Sequence, residues 1–215
     1  SIPTIPMATV WLLNDLAESR GRQDLFIKQS PQRLKKLMEH ALIESAVSSN
    51  RIEGVEVDQQ RVGTVVFGKS HLQDRNEEEV RGYQAALSWI HAENENIPIS
   101  TATILRLHEL SHPGVWDSGK LKEKDGEIIE KHPDGRVTVR FRPLSAVETP
   151  GATADLCRYT ETLLKQREIP PLIIWAAQNL DFLCIHPFRD GNGRVSRLLL
   201  LLMLYHLGYR AGRYI

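Results

Sequence analysis

Apolar residues recur at helical spacing through most of this chain of 215 residues. Ser30 before Pro31 marks a helix start, and Leu34, Leu37, Ala41 and Leu42 follow at intervals of three and four towards Val47. Gly54 is the expected stop. A second helix is expected from Asn76 to Ala92: three glutamates fill its first turn, at the positive end of the helix dipole, and Val80, Tyr83, Leu87 and Ile90 make its buried stripe. Ser100 caps a third, carrying Ile104, Leu105, Leu107 and Leu110 before Pro113. The helical pattern returns after Pro150 as Ala154 to Lys165 and as Leu172 to Ile185, with Pro170-Pro171 at the join. Ser1 to Met7 reads as an irregular arm.

Between Gly119 and Pro143 the period changes to alternation. Glu127, Ile128, Ile129 and Glu130 precede Asp134-Gly135, and Val137, Val139 and Phe141 then interleave with Arg136, Thr138, Arg140 and Arg142. Asp-Gly between two such runs signals a β-hairpin, either a solvated excursion or a functional flap.

A hydrophobic content of 41% is enough for the core of one domain, or of one domain with a lobe. Lys plus Arg and Asp plus Glu each total 27, so the bulk charge advertises neither a nucleic acid nor a membrane as partner. Cys157 and Cys184 lie in apolar-periodic segments, which fits buried thiols in a reducing, cytoplasmic setting. The longest apolar run, Leu198 to Tyr205, is far shorter than the roughly 20 residues a spanning helix needs. The N-terminus has no signal-peptide pattern. Gly208-Tyr209-Arg210-Ala211-Gly212 leads to Ile215 as in a chain interrupted within its fold.

The chemistry concentrates in His186-Pro187-Phe188-Arg189-Asp190-Gly191-Asn192-Gly193-Arg194-Val195-Ser196-Arg197, which runs directly into an apolar helix. Gly191-Asn192-Gly193 frees the backbone so that successive N–H groups can converge on an anion at the helix N-terminus. Phosphate is the natural occupant. Arg194 and Arg197 stand three apart and are expected to share a face and fork onto phosphate oxygens. Two cations at a helix N-terminus oppose the macrodipole unless an anion is bound. Asp190 can reach a Mg²⁺ that bridges phosphates, and His186 at the entrance suits a general base for a hydroxyl. Phe188 reads as the loop's apolar anchor. Neither the phosphate loop of the common NTPases nor a dinucleotide-binding glycine pattern occurs.

These twelve residues resemble the defining motif of the Fic (filamentation induced by cAMP) family, His-Pro-Phe-x-Asp/Glu-Gly-Asn-Gly-Arg-x-x-Arg, at every specified position. Upstream, Ser49-Asn50-Arg51-Ile52-Glu53-Gly54 resembles the family's inhibitory motif, a Ser or Thr, three residues, Glu, then Gly or Asn. The resemblance implies an all-α Fic-type helical bundle with a β-hairpin flap at about 119–143. Residues 1–60 would form an N-terminal helical region with the inhibitory helix, and residues 61–215 the catalytic core. It implies ATP with Mg²⁺, and transfer of AMP to a Ser, Thr or Tyr hydroxyl of a protein target, the chain itself included; it leaves room for a homodimer. By matching position His186 is the base, Asp190 holds Mg²⁺, Asn192 with the amides of Gly191 and Gly193 stabilises charge on the α-phosphate, Arg194 grips the β-phosphate and Arg197 the γ-phosphate. The flap would register an extended target by strand addition. Glu53 would pair with Arg197 and exclude the γ-phosphate, with Ser49 holding the inhibitory helix.

One departure stands out. Many relatives carry Gly-x-x-Arg before the flap, where this chain has Gly119-Lys120-Leu121-Lys122, and lysine lacks a planar bidentate fork. Two alternatives stay open: the same fold removing AMP or transferring phosphate or phosphocholine, and a nucleotide-sensing module without catalysis.

Overall fold

The computed structural model describes residues 5–27, 31–68 and 71–210. Its helices are α1 (Met7–Ile27), α2 (Pro31–Ile52), α3 (Val62–Phe67), α4 (Arg75–Glu93), α5 (Thr101–Ser111), α6 (Thr149–Gln166), α7 (Pro171–Ile185) and α8 (Asn192–His206). Strands β1 (Ile128–Lys131) and β2 (Val137–Phe141) form one antiparallel hairpin between α5 and α6. The expected helical bundle with a β-hairpin is therefore the observed fold.

Helix α8 is the centre. Val195, Leu198, Leu199, Leu202 and Met203 are wholly buried, and α4, α5 and α7 pack around them. A helix apolar on so much of its circumference needs neighbours on several sides. Capping chemistry sets where these neighbours begin. Asp74 Oδ1 accepts from the Glu77 N–H (2.9 Å) and Ser100 Oγ from the Thr103 N–H (3.2 Å), each satisfying a first-turn donor that lacks a helical partner. Ser100 is the cap the sequence predicts; the Ser30 cap lies outside the described residues, as do residues 1–4 of the expected arm and the end of the chain from 211.

The expected arm ends at Met7, where α1 begins. The apolar residues of α1 form no narrow stripe: Met7, Trp11 and Leu12 are exposed. Polar groups at its far end hold it, Arg20 donating to Leu207 O (3.1 Å) and Gln23 to Gly208 O (3.1 Å). A reading of hydrophobic period has nothing to detect there. One expectation needs correction: the cysteines are not buried thiols, since Cys184 is exposed and Cys157 half-buried. The buried positions of α7 include Trp175, Gln178 and Phe182, and a residue two beyond Phe182 faces away from them.

The hairpin stands clear of the core, with every β2 residue exposed. Gly135 turns it at φ 83°, and its N–H donates to His132 O (3.0 Å).

Helices α4 and α5 pack tightly at Gly82, where a β-carbon would overlap Leu110 O and lie 2.7 Å from Pro113 Cδ. Alanine gains about 1 kcal/mol of helix propensity, but a main-chain oxygen cannot step aside as a flexible side chain can. Gly82→Ala is expected to destabilise by about 1–2 kcal/mol net, read as a lower urea midpoint at unchanged slope. No helix among the described residues is long and apolar enough to cross a membrane.

Candidate active site

The sequence-predicted residues meet in the turn between α7 and α8 and along the end of α2. His186 ends α7 in the left-handed region (φ 51°, ψ 63°), its N–H donating to Phe182 O (2.9 Å). This C-terminal position usually belongs to glycine. The chain then dives inward: Phe188 is 1% exposed and stacks on the His108 ring at 3.9 Å between centroids, the anchor its sequence suggests. Gly191 follows at φ 78°, and a β-carbon there would meet the His112 ring at 2.7 Å, so glycine is required by both conformation and space.

No side chain caps α8, so its first-turn N–H groups lack a capping acceptor. Over that turn lies the Glu53 carboxylate. A β-carbon at Gly193 would overlap Glu53 Oε1 and come 3.1 Å from an Arg197 nitrogen. The place where the sequence predicts a phosphate is thus occupied by an anion from the end of α2, as the dipole and the cation favour.

Arg197 is held on three sides: Nε donates to Ser49 Oγ (2.7 Å), and an Nη donates to Ser49 O (2.8 Å) and Glu53 Oε1 (2.9 Å). Ser49 Oγ donates onward to the Tyr83 hydroxyl (2.8 Å). Tyr83, which the sequence marks only as a core residue, therefore ties α4 to this clamp. Burial pushes its phenol pKa up, keeping it protonated.

Arg194 departs from expectation. It is 2% exposed and does not share an open face with Arg197. A three-residue step on a helix leaves a rotation of about 60°, enough to turn Arg194 inward while Arg197 stays at the surface of the clamp. Its guanidinium donates to Glu79, Asn50 Oδ1 (3.3 Å) and His112 Nε2 (2.9 Å). The buried pair Glu79–Arg194 is invisible in the sequence, where Glu79 looks like one of three dipole-complementing glutamates; a carboxylate facing a buried arginine is the only signal that could have found it. The side chain of Asn192 accepts from the Phe188 N–H (2.9 Å) and donates to Phe188 O (2.8 Å), so it stitches the loop.

Asp190 takes the Gly191 N–H on Oδ1 (2.7 Å) and has His112 Nε2 at 3.4 Å from Oδ2. The His112 ring and the Gly191 amide hold its carboxyl well below the usual carboxylate range, against partial burial. Among the described residues no three His, Cys, Asp or Glu side chains gather as a metal cage. At His186 burial lowers the pKa and the Leu183 backbone acts in the opposite sense; Lys122 lowers it, while Asp190 and Glu53 raise it. The net lowering favours the neutral ring, the form a proton acceptor needs.

The sequence profile of the Fic/DOC family matches residues 98–204. The protein adenylyltransferase Fic of Aedes aegypti is 28% identical over 189 residues, covering 82% of this chain and 34% of that one. The protein of the same name from Drosophila melanogaster is 30% identical over 150 residues, 67% of this chain and 27% of that one. The chain thus spans about a third of the length of the curated relatives it matches. Among solved structures, a Fic family protein from Desulfovibrio desulfuricans superposes with a TM-score of 0.74 at 25% identity, over 95% of this chain and 59% of that one. A Fic domain containing signaling protein from Bacteroides thetaiotaomicron gives 0.71 at 25% identity, over 85% and 69%. Sequence profile, bundle and motif loop agree, and the chain belongs to the Fic/DOC family.

Proposed function

We propose that this chain is the catalytic part of an autoinhibited protein adenylyltransferase, moving AMP from ATP to a Ser, Thr or Tyr hydroxyl of a protein. The observation that carries this reading is one juxtaposition: His186 ends α7 beside a glycine loop and helix N-terminus over which Glu53 lies, with Glu53 holding Arg197 (2.9 Å). The names of the insect relatives point to the same reaction.

In the reaction the target oxygen attacks the α-phosphorus and forms the new P–O bond. The bond from that phosphorus to the bridging oxygen breaks, and its electron pair leaves on pyrophosphate. The hydroxyl proton passes to His186 Nε2, since Nδ1 is buried. The N–H groups of the first turn of α8 stabilise charge gathering on the α-phosphate, and Arg197, once free of Glu53, holds the γ-phosphate in line. Arg194 acts as a buried brace that joins Glu79, Asn50 and His112 beneath the loop. One carboxylate, held ionised and half exposed, suits a Mg²⁺ that takes its remaining ligands from phosphates and water. Such an ion, when bound, neutralises part of the phosphate charge.

ATP labelled at the α-phosphate is expected to leave label on protein, and ATP labelled at the γ-phosphate to leave none. Label from the γ-position alone would replace this reading with phosphate transfer.

A further inference from the structure

The segment between α5 and the hairpin is tied to the catalytic loop by a residue to which the resemblance gives no role. Lys122 is 9% exposed. Its Nζ donates to Ile185 O at 2.9 Å, and its main-chain N–H donates to Pro187 O at 2.8 Å. These are the carbonyls immediately before and after His186. Burial pushes the Lys122 pKa down and Asp125 acts in the opposite sense; Ile185 O, at the C-terminal end of α7, lacks a helical donor and carries the negative end of the dipole, which suits a cation there.

His186 needs such support. A residue with a β-carbon held at φ 51° is strained relative to its ordinary conformations, and a turn of this kind persists only where its surroundings over-determine it.

We propose that Lys122 is a positioning residue for His186: it braces the left-handed turn from both sides and keeps one positive charge close to the imidazole. The brace also joins the base of the hairpin to the base of the reaction, since β1 begins six residues after Lys122. Three charges face the ring: Lys122 from the segment before the hairpin, Asp190 from the motif loop and Glu53 from α2. Lys122 favours the neutral ring and the two carboxylates favour the charged one. The catalytic half of this inference rests on the adenylyl-transfer reading; the structural half does not.

The test is an NMR titration of the His186 ring in the whole chain, in parent, Lys122→Met and Lys122→Arg. Loss of the ammonium is expected to move the His186 midpoint upward, because a cation that disfavoured protonation has gone. In a Glu53→Gly background the acid limb of the transfer rate should move the same way, with kcat down about tenfold and the KM for ATP unchanged, because the acceptor is misplaced while the nucleotide site is intact. Lys122→Arg keeps the charge and a donor for Ile185 O, and should restore most of the rate and the parental midpoint. A folded Lys122→Met protein whose His186 titrates as the parent does would overturn the proposal. Should Lys122→Met fail to fold, Lys122→Gln decides: a raised midpoint supports the proposal and an unchanged one overturns it. If no variant transfers label while the midpoint still moves, the brace stands and the adenylyl-transfer reading falls.

Discussion

Glu53→Gly is expected to raise adenylyl transfer by about 10- to 100-fold, the equivalent of one charge-assisted hydrogen bond of about 1.5–3 kcal/mol between Arg197 and a carboxylate. Two terms act together. Glu53 Oε1 accepts from Arg197 at 2.9 Å, so the guanidinium is occupied. The same oxygen overlaps the space above Gly193, so a γ-phosphate must enter against a like charge. Ser49 still holds Arg197 through Oγ and its carbonyl in the variant, and Ser49→Ala should therefore give a smaller rise than Glu53→Gly. Adding His186→Ala to Glu53→Gly should lower the rate by about 10²- to 10⁴-fold, the usual worth of a general base, and leave ATP affinity nearly unchanged. The measurements are incorporation of label from the α-phosphate and calorimetric ATP binding. A rate unaffected by His186→Ala would remove the histidine from the mechanism. An unchanged rate and affinity in Glu53→Gly would make the Glu53–Arg197 pair a bystander.

The features legible in the sequence are those that short stretches of chain encode. Ser100 announces α5 because an N-cap needs only its own next three residues. Asp134-Gly135 announces the hairpin because the turn residues themselves carry the backbone conformation. The loop from His186 to Arg197 is legible for the same reason, since its glycines, its anchor Phe188 and its cations are contiguous. What stayed hidden depends on partners far along the chain. Arg194 was expected to face phosphate, and only the approach of α4 with Glu79, and of α2 with Asn50, turns it into a core residue. The amide of Asn192 matches the two backbone groups of Phe188, a pairing that only the folded loop reveals. Lys122 looked like a weak substitute for arginine; burial beside two particular carbonyls gives it a role no local pattern carries. Within the N-terminal helical region no stripe marks the bounds of α1, because its contacts are polar and terminal.

Breaking the Glu79–Arg194 pair is expected to cost up to about 3–5 kcal/mol, because Arg194 would be left charged and buried without a carboxylate, and Glu79 would be left with Arg75 alone (2.7 Å). Glu79 is 5% exposed and Arg194 2%, so water cannot replace the lost partner. Glu79→Gln should be the milder change, since the amide can still accept from Arg194; Arg194→Met should be harsher, because Asn50 and His112 lose a donor at the same time. Replacing both residues by apolar ones of similar volume should cost less than the two single changes added together, the signature of direct coupling. The pair also imposes a pH dependence. Burial alone would raise the Glu79 pKa, but the hydrogen bonds from Arg75 and Arg194 outweigh it and the net shift is downward. A carboxylate with a depressed folded pKa contributes stability that is present above its unfolded value near 4.5 and is lost as the pH falls through the folded one. Urea unfolding of the parent should therefore weaken below that value, and Glu79→Gln should remove this component. If Glu79→Gln costs under about 1 kcal/mol, in the range of an exposed ion pair, Arg194 is not anchored by Glu79. Its guanidinium would then be free to turn toward the cradle, and the β-phosphate role read from the sequence would return in place of the brace.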